Sequence, residues 1–362
     1  MYMSQRLPDP DITLTSCSPN VREAYLRVFN AQELGEKAQE QRNARIVGYL
    51  LIYLHQFKHT LGEKPISYLV EEICCLTNDR AVFALGEHYL QLFVAFRRRK
   101  PTPNPSTRPS RPSFDDQREE LVEHLVGPKK DHKMSKNLLM RLGRRFSAMD
   151  FDVSRPRHLR WIAVYHMMDN SYVEPDAATF LVLEMSRIVR RTNPRLERAG
   201  GVLSILKAFG ISMSDTLLQD NGVHDLRNIL TLYTACHEVF DALDMCFEPT
   251  EVKHQYRIHH LLPTLMSLQT HKIVTFKIND AIVEGSSSCI KIMKENPDQF
   301  LPDPKLLALH ATCARVAHMS GVAKVLNEWD RDLDEKKVLA ADGSDMDMFK
   351  YALMGLVQVG VN

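Results

Sequence analysis

The sequence predicts an all-α protein, and three observations carry that prediction. Apolar residues recur at spacings of three and four along most of the 362 residues, the period of helices with one buried face. A single stretch, 271–280, shows strand-like alternation, and its Ile273, Val274, Phe276 and Ile278 fit a short helix equally well. Strands alternating with helices are absent, which argues against a doubly wound nucleotide-binding fold. No fixed repeat of about 20–50 residues points to a solenoid.

In chain order, residues 1–18 (MYMSQRLPDPDITLTSCS) hold two prolines and no helical period, which predicts an extended arm. Pro19 suits a first helical turn, and Val21, Ala24, Tyr25, Val28 and Phe29 then follow at helical spacing up to Gly35. A long helix is predicted over 36–58, with Ile46, Tyr49, Leu50, Tyr53 and Leu54 as its core-facing stripe. Two more follow at 65–76 and 79–99, the second ending in Arg97, Arg98, Arg99 and Lys100. The segment PTPNPSTRPSRP (101–112) places 5 of the chain's 18 prolines in 12 residues, so neither a helix nor a central strand persists there. It reads as a solvated, basic loop. Helical period returns over 114–126, 135–147, 156–168, 176–191, 195–209, 223–247, 250–268, 303–319 and 321–333. Gly200 and Gly201 interrupt the 195–209 helix, and Pro263 ends or kinks the 250–268 helix.

At roughly 100–200 residues per domain the length accommodates two or three domains or lobes. The predicted organisation is an N-terminal arm (1–18), an N-terminal helical lobe (19–207) carrying the Pro-rich loop, a C-terminal helical lobe (208–342) and a C-terminal arm (343–362). A hydrophobic fraction of 44% with 25% charged residues excludes a disordered chain, a collagen-like repeat and a disulfide scaffold. The opening MYMSQRLP lacks a basic segment followed by an apolar run, so no secretory signal is expected. No apolar run approaches the roughly 18 residues a membrane span needs. Seven cysteines, mostly inside apolar patterns, predict buried free thiols in a reducing compartment.

Catalytic and ligand-binding patterns are sparse. There is no phosphate-binding glycine signature, no nucleophile elbow and no His-Glu-x-x-His. His310, Cys313 and His318 have a metal-like spacing, but they share a helix with Leu306, Leu307, Leu309 and Val316, and core or surface positions explain them better than zinc. His55 and His59 read as surface residues, and His254, His259 and His260 as the polar side of a helix. Gly285 to Ser288 reads as a helix-capping loop, with a phosphate cradle as the less favoured use. The sequence therefore predicts no catalytic residues, no metal and no cofactor.

Charge is more informative by segment than in total. The chain has 46 Lys+Arg and 45 Asp+Glu, a net +1. Residues 97–160 hold 17 basic and 8 acidic side chains (+9), whereas residues 208–362 hold 14 and 21 (−7). In the basic middle, Lys129, Lys130, Lys133 and Lys136 lead into a predicted helix bearing Arg141, Arg144 and Arg145 on one face. Arg155, Arg157 and Arg160 follow, and Arg187, Arg190, Arg191, Arg195 and Arg198 form a third group. Phe146, His158 and Trp161 interleave with them, a mixture suited to phosphate neutralisation and base stacking on single-stranded nucleic acid. A solvated helix face paired with the acidic C-terminal part explains the same clusters about as well. No helix-turn-helix, zinc finger or RNP signature accompanies them, so sequence-specific duplex readout is disfavoured.

The basic run KNLLMRLGRRFSAMDFDVSRPRHLRW (136–161), the segment SRIVRRTNPRLER (186–198) and the stretch FLPDPKLLALHATCARVAHMSGVAKVLNEW (300–329) give the chain a resemblance to the nucleoproteins of non-segmented negative-strand RNA viruses. In size and composition it is most similar to bornavirus-like and fungal mymonavirus-like members. The resemblance implies two helical lobes gripping single-stranded genomic RNA in a basic groove between them, and homo-oligomers linked by exchanged terminal arms. It implies Lys133, Lys136, Arg141, Arg144, Arg145, Arg155, Arg157 and Arg160 as phosphate contacts on one wall, with Arg190, Arg191 and Arg195 on the other. A viral polymerase or phosphoprotein would be a further partner, no membrane would be involved, and the site of action would be the virion nucleocapsid and host cytoplasm, with the nucleus open. The alternative is a helical scaffold or adaptor that binds protein partners and no nucleic acid; an enzyme ranks third.

Overall fold

The structure, a computed structural model, describes residues 5–13, 17–97, 183–187, 202–211, 226–262, 273–276, 295–299 and 301–335. Helix accounts for 67% and strand for 10% of what is described, so the fold is mostly helical. It is not all-α: a small three-stranded sheet and a two-stranded ladder are present.

The N-terminal half forms as its apolar spacing requires. A short turn of helix, α1 (Pro10–Thr13), precedes α2 (Pro19–Leu34), which starts on its proline and buries Val21, Ala24, Tyr25, Val28 and Ala31. Helix α3 (Ala38–Gln56) opens where Glu40 accepts hydrogen bonds from the backbone N–H groups of Glu36 (2.9 Å) and Lys37 (3.2 Å). From Ala44 to Leu54 it buries nearly every residue, because α2, two later N-terminal helices and a C-terminal helix cover it from different sides. A turn at Phe57 and the short α4 (Lys58–Leu61) lead to α5 (Lys64–Cys74), which buries Ile66, Leu69, Val70 and Ile73. Helix α6 (Ala81–Phe96) buries Val82, Leu85, Tyr89, Leu92, Phe93 and Phe96.

Residues 5–13, expected within an extended arm, run along their own chain. Leu7 is buried against Gly48 of α3, where a β-carbon would fall on the Leu7 methyls. The Tyr25 hydroxyl donates to the Pro8 carbonyl (2.7 Å), the Tyr49 hydroxyl to that of Arg6 (2.9 Å), and the Gln5 N–H to that of Met319 (2.8 Å). The physical reason is local: a glycine on a buried helix face leaves a socket one leucine wide.

The second half departs from the helical expectation at three places. Within 176–191, expected as helix, β1 (Leu183–Arg187) is a strand antiparallel to β2 (Ile229–Tyr233), with Arg187 opposite Ile229. Within 223–247, expected as one helix, β2 precedes α8 (Thr234–Asp241) and β3 (Met245–Pro249). Leu230 and Leu232 bury with period two, and Leu243 takes a left-handed φ of 64° that ends the helical run. Within 250–268, also expected as helix, β4 (Gln255–His260) pairs with β3, placing Cys246 opposite His259 and Phe247 opposite Ile258. Its Tyr256 and Ile258 bury while Arg257 is exposed, the alternation of a strand with one covered face. The alternating stretch 271–280 does contain a strand, β5 (Ile273–Thr275), on the outer side of β4. Helix α7 (Val202–Ala208) is the described part of the helix expected at 195–209.

Two C-terminal helices match expectation closely. Asp303 caps α9 (Pro304–Ser320), accepting from the N–H groups of Lys305 (2.8 Å) and Leu306 (3.3 Å), and Gly321 closes it at φ 89°. Helix α10 (Val322–Glu335) then buries Val322, Ala323 and Leu326. Helix α9 packs on α3, α4, α6, α10 and β3. One hydrophobic core therefore runs from Leu7 to Leu326, across the boundary expected at 207/208. The Pro-rich loop 101–112 and the C-terminal arm 343–362 lie outside the described residues.

Gly86 fixes the approach of α6 to α3. A β-carbon there would fall inside the Asn43 backbone, whose side-chain amide already donates to the Phe83 carbonyl (3.1 Å). Helix propensity alone predicts that Gly86→Ala gains up to about 1 kcal/mol. The contact predicts the opposite sign, a loss of about 1–3 kcal/mol from overpacking, to be read as a lowered urea midpoint.

Candidate functional site

The basic residues that the sequence nominates for RNA, Lys133, Lys136, Arg141, Arg144, Arg145, Arg155, Arg157, Arg160, Arg190, Arg191 and Arg195, all lie outside the described residues. Their immediate neighbours are placed. Arg187, the first member of the third basic group, ends strand β1 rather than a helix. Arg97, the first of the run that opens the basic middle, is buried: its guanidinium pairs with Asp330 of α10 (2.7 Å) and donates to the Asn327 side chain. This is one basic side chain from 97–160 held by the acidic C-terminal part.

The densest described cluster of ionisable groups is a polar seam between α9, α8 and the β3–β4 ribbon. It exists because α9 has no exposed residue, so each of its polar side chains needs a partner inside the protein. His310 lies flat on Phe240 of α8, with ring centroids 3.8 Å apart and an interplanar angle of 5°, and its Nε2 meets the Phe240 carbonyl at 3.3 Å. Thr312 folds its hydroxyl onto the Ala308 carbonyl one turn back (2.9 Å). His318 Nε2 contacts the Asp244 carboxylate (3.0 Å) and the Leu243 carbonyl (3.2 Å). Ser320 receives the Val322 N–H at 3.4 Å.

Arg315 joins three elements. Its Nε donates to Glu248 on β3, and its Nη2 donates to Nδ1 of His259 on β4 at 3.1 Å. Tyr53 of α3 and the buried Cys246 of β3 complete the electrostatic surroundings. Burial pushes the Cys246 and Cys313 thiols well up, so both stay protonated at neutral pH. Burial, and next the Arg315 guanidinium, hold His259 below the ordinary histidine value of 6.5. Burial also lowers His260, and it lowers His254 against the upward pull of Asp298, whose carboxylate lies 3.0 Å from His254 Nε2.

These positions can be set beside the expectations from the sequence. His254, His259 and His260 lie on a hairpin rather than on the polar side of a helix. His310, Cys313 and His318 are buried in the core. No group of three or more metal-ligating side chains occurs among the described residues. His59 reaches the Thr250 carbonyl (3.2 Å). Of the described cysteines, Cys236, Cys246 and Cys313 are buried as expected of free thiols, but Cys74 and Cys75 are exposed at the end of α5. No helix of the described residues is long and apolar enough to cross a membrane.

Chemically the seam is a set of engaged pairs. The His318 ring spends Nε2 on a buried carboxylate, and His254 Nδ1 is shut away from solvent. Sequence reasoning did not find the Glu248–Arg315–His259 triad or the Arg97–Asp330 pair. A lone arginine in the apolar run LLALHATCARVAHM was a readable signal that Arg315 needs a buried partner. No protein-family model, curated protein or solved structure matches the chain.

The triad's energetics are testable. The Arg315 and Glu248 side chains are 20% and 9% exposed. Arg315→Met strands the Glu248 carboxylate and is expected to cost about 3 kcal/mol. The double variant Arg315→Met/Glu248→Leu is expected to recover most of that loss, since no charge is left unpaired. Urea unfolding of both variants checks this, and equal losses would assign the cost to packing instead.

Proposed function

We propose that the chain is a non-enzymatic nucleoprotein that encapsidates single-stranded RNA through sequence-independent phosphate contacts and assembles with copies of itself through its terminal segments. The observation that carries this reading is the charge distribution, +9 over residues 97–160 in a chain whose total is +1. The resemblance of 136–161, 186–198 and 300–329 to viral nucleoproteins supports it. Arginine suits the task, because its planar guanidinium pairs bidentately with phosphate and stacks on bases without reading their edges. A viral polymerase or phosphoprotein is the further partner this reading implies, in a nucleocapsid within the virion or infected cell.

One observation favours the second reading, a helical scaffold for protein partners. Arg97 is held inside the protein by Asp330, so part of the basic excess serves the fold. The two readings separate on purified protein: co-purifying RNA favours encapsidation, and an RNA-free monomer at low salt favours the scaffold.

Joint replacement of Arg141, Arg144 and Arg145 by Ala is expected to weaken RNA binding uniformly across sequences. For three lost phosphate contacts, the slope of log affinity against log salt should fall by about 2. Binding titrations at several salt concentrations measure this, and undiminished affinity moves the site elsewhere. Deleting residues 1–18 is expected to dissociate assemblies while leaving the helical core folded, by sedimentation and circular dichroism; an unchanged assembly size removes the N-terminal segment from the assembly mechanism.

A further inference from the structure

We infer that His259 is an acid-sensitive latch, holding the β3–β4 ribbon against α9 only while its imidazole is neutral. The geometry is specific. A guanidinium donates hydrogen bonds and accepts none, so the 3.1 Å contact from Arg315 Nη2 requires an unprotonated Nδ1 on His259. Protonation turns that nitrogen into a donor facing a donor and adds a positive charge beside Arg315.

The groups facing His259 cannot absorb the added charge. Cys246 of β3, opposite His259, is kept neutral by burial, as is Tyr53 of α3 on the far side of Arg315 and Glu248. Glu248 from β3 is the one facing carboxylate among the described residues, and Arg315 from α9 already occupies it. Along β4 itself, Arg257 and His260 add positive or ionisable neighbours. Acid thus places a third cation, beside Arg315 and Arg257, around one carboxylate. Burial and the Arg315 charge accordingly keep the ring neutral to lower pH than an ordinary histidine.

Other histidines nearby face a carboxylate rather than a guanidinium. His318 meets Asp244 (3.0 Å), His254 meets Asp298 (3.0 Å), and His237 meets Asp241 (3.6 Å). Asp244 precedes β3, and His254 sits at the tip of the β3–β4 hairpin. Loss of the Arg315–His259 contact frees the ribbon where Cys246 lies opposite His259.

The sign follows from linkage. His259 titrates below 6.5 in the closed protein, so the open form binds the extra proton, and the closed form loses ground as pH falls below 6.5. The test uses the full chain and 4,4′-dithiodipyridine, a thiol reagent active in acid, with cysteine adducts assigned by mass spectrometry. Exposed Cys74 and Cys75 serve as internal standards for the reagent's own pH dependence, and buried Cys236 reports global unfolding. Between about pH 7.5 and about pH 5, Cys246 labelling should rise by up to about tenfold per pH unit relative to the standards. Cys236 should stay protected. His259→Asn keeps an acceptor oxygen near the Nδ1 position and cannot titrate, so most of the rise should be lost, the remainder belonging to His254 and His260 of the same hairpin. Glu248→Gln removes the one carboxylate that favours the imidazolium, so the rise should move to lower pH. A rise unchanged in His259→Asn, Cys236 labelled in step with Cys246, or a midpoint unmoved in Glu248→Gln would each overturn the latch; the last comparison still applies if His259→Asn does not fold.

Discussion

The rest of the described structure depends on how deeply helix Pro304–Ser320 is buried. None of its residues is exposed, because α3, α4, α6, α10 and β3 surround it. A helix covered all round is ordinarily apolar all round. This one carries His310, Thr312, Arg315, His318 and Ser320, and each needs a partner that water would otherwise supply. The elements around it are arranged to provide those partners. Phe240 offers a ring face and a carbonyl, Asp244 a carboxylate at the start of β3, and Glu248 another four residues on. The β3–β4 ribbon is thus held to the helix by polar pairs, while Phe247, Tyr256 and Phe276 pack on one another within the sheet.

The same burial joins the two ends of the sequence. Helix α3 is covered on one side by α2 and α6 and on another by α9, so residues more than 200 positions apart share one core. The N-terminal segment adds to this by donating the Gln5 N–H to the Met319 carbonyl near the end of α9, while Leu7 fills the space above Gly48. A segment held this way is anchored by one leucine and a few hydrogen bonds. That is enough to order it, yet small beside the core it rests on.

How much of this was legible in the sequence varies by element, for physical reasons. Helices over 19–34, 38–56, 64–74, 81–96, 304–320 and 322–335 each present apolar residues at spacings of three and four, with proline or aspartate at several starts and glycine at several ends. Strand β3 offers no such period, because Met245, Cys246, Phe247 and Glu248 are all buried and nothing alternates. Strand β4 alternates across only Tyr256, Arg257 and Ile258, and Tyr256 with Leu261 and Leu262 also fits a helical face. Arg315 could be recognised as a cation in an apolar helix, but its partner Glu248 lies 67 residues away and belongs to no local pattern. Ion pairs of this kind are set by tertiary packing.

The ion pairs also bear on what balances the basic middle of the chain. An internal counterpart to the basic segment would need carboxylates without partners of their own. Many are already engaged elsewhere. In the N-terminal helices, Asp11, Glu33, Glu36, Glu63 and Asp79 pair with Arg22, Arg6, Arg80, Lys58 and Arg27. In the C-terminal part, Asp244, Glu248 and Asp298 pair with His318, Arg315 and Lys253. Asp330 alone among these described pairs reaches into the basic segment, and it takes Arg97, the first residue of that segment. Each engaged carboxylate would have to be shared to neutralise a second cation, at a loss to the pair it already makes. Within the described residues, the contact between the basic segment and the acidic C-terminal part is the Arg97–Asp330 pair, at the edge of that segment.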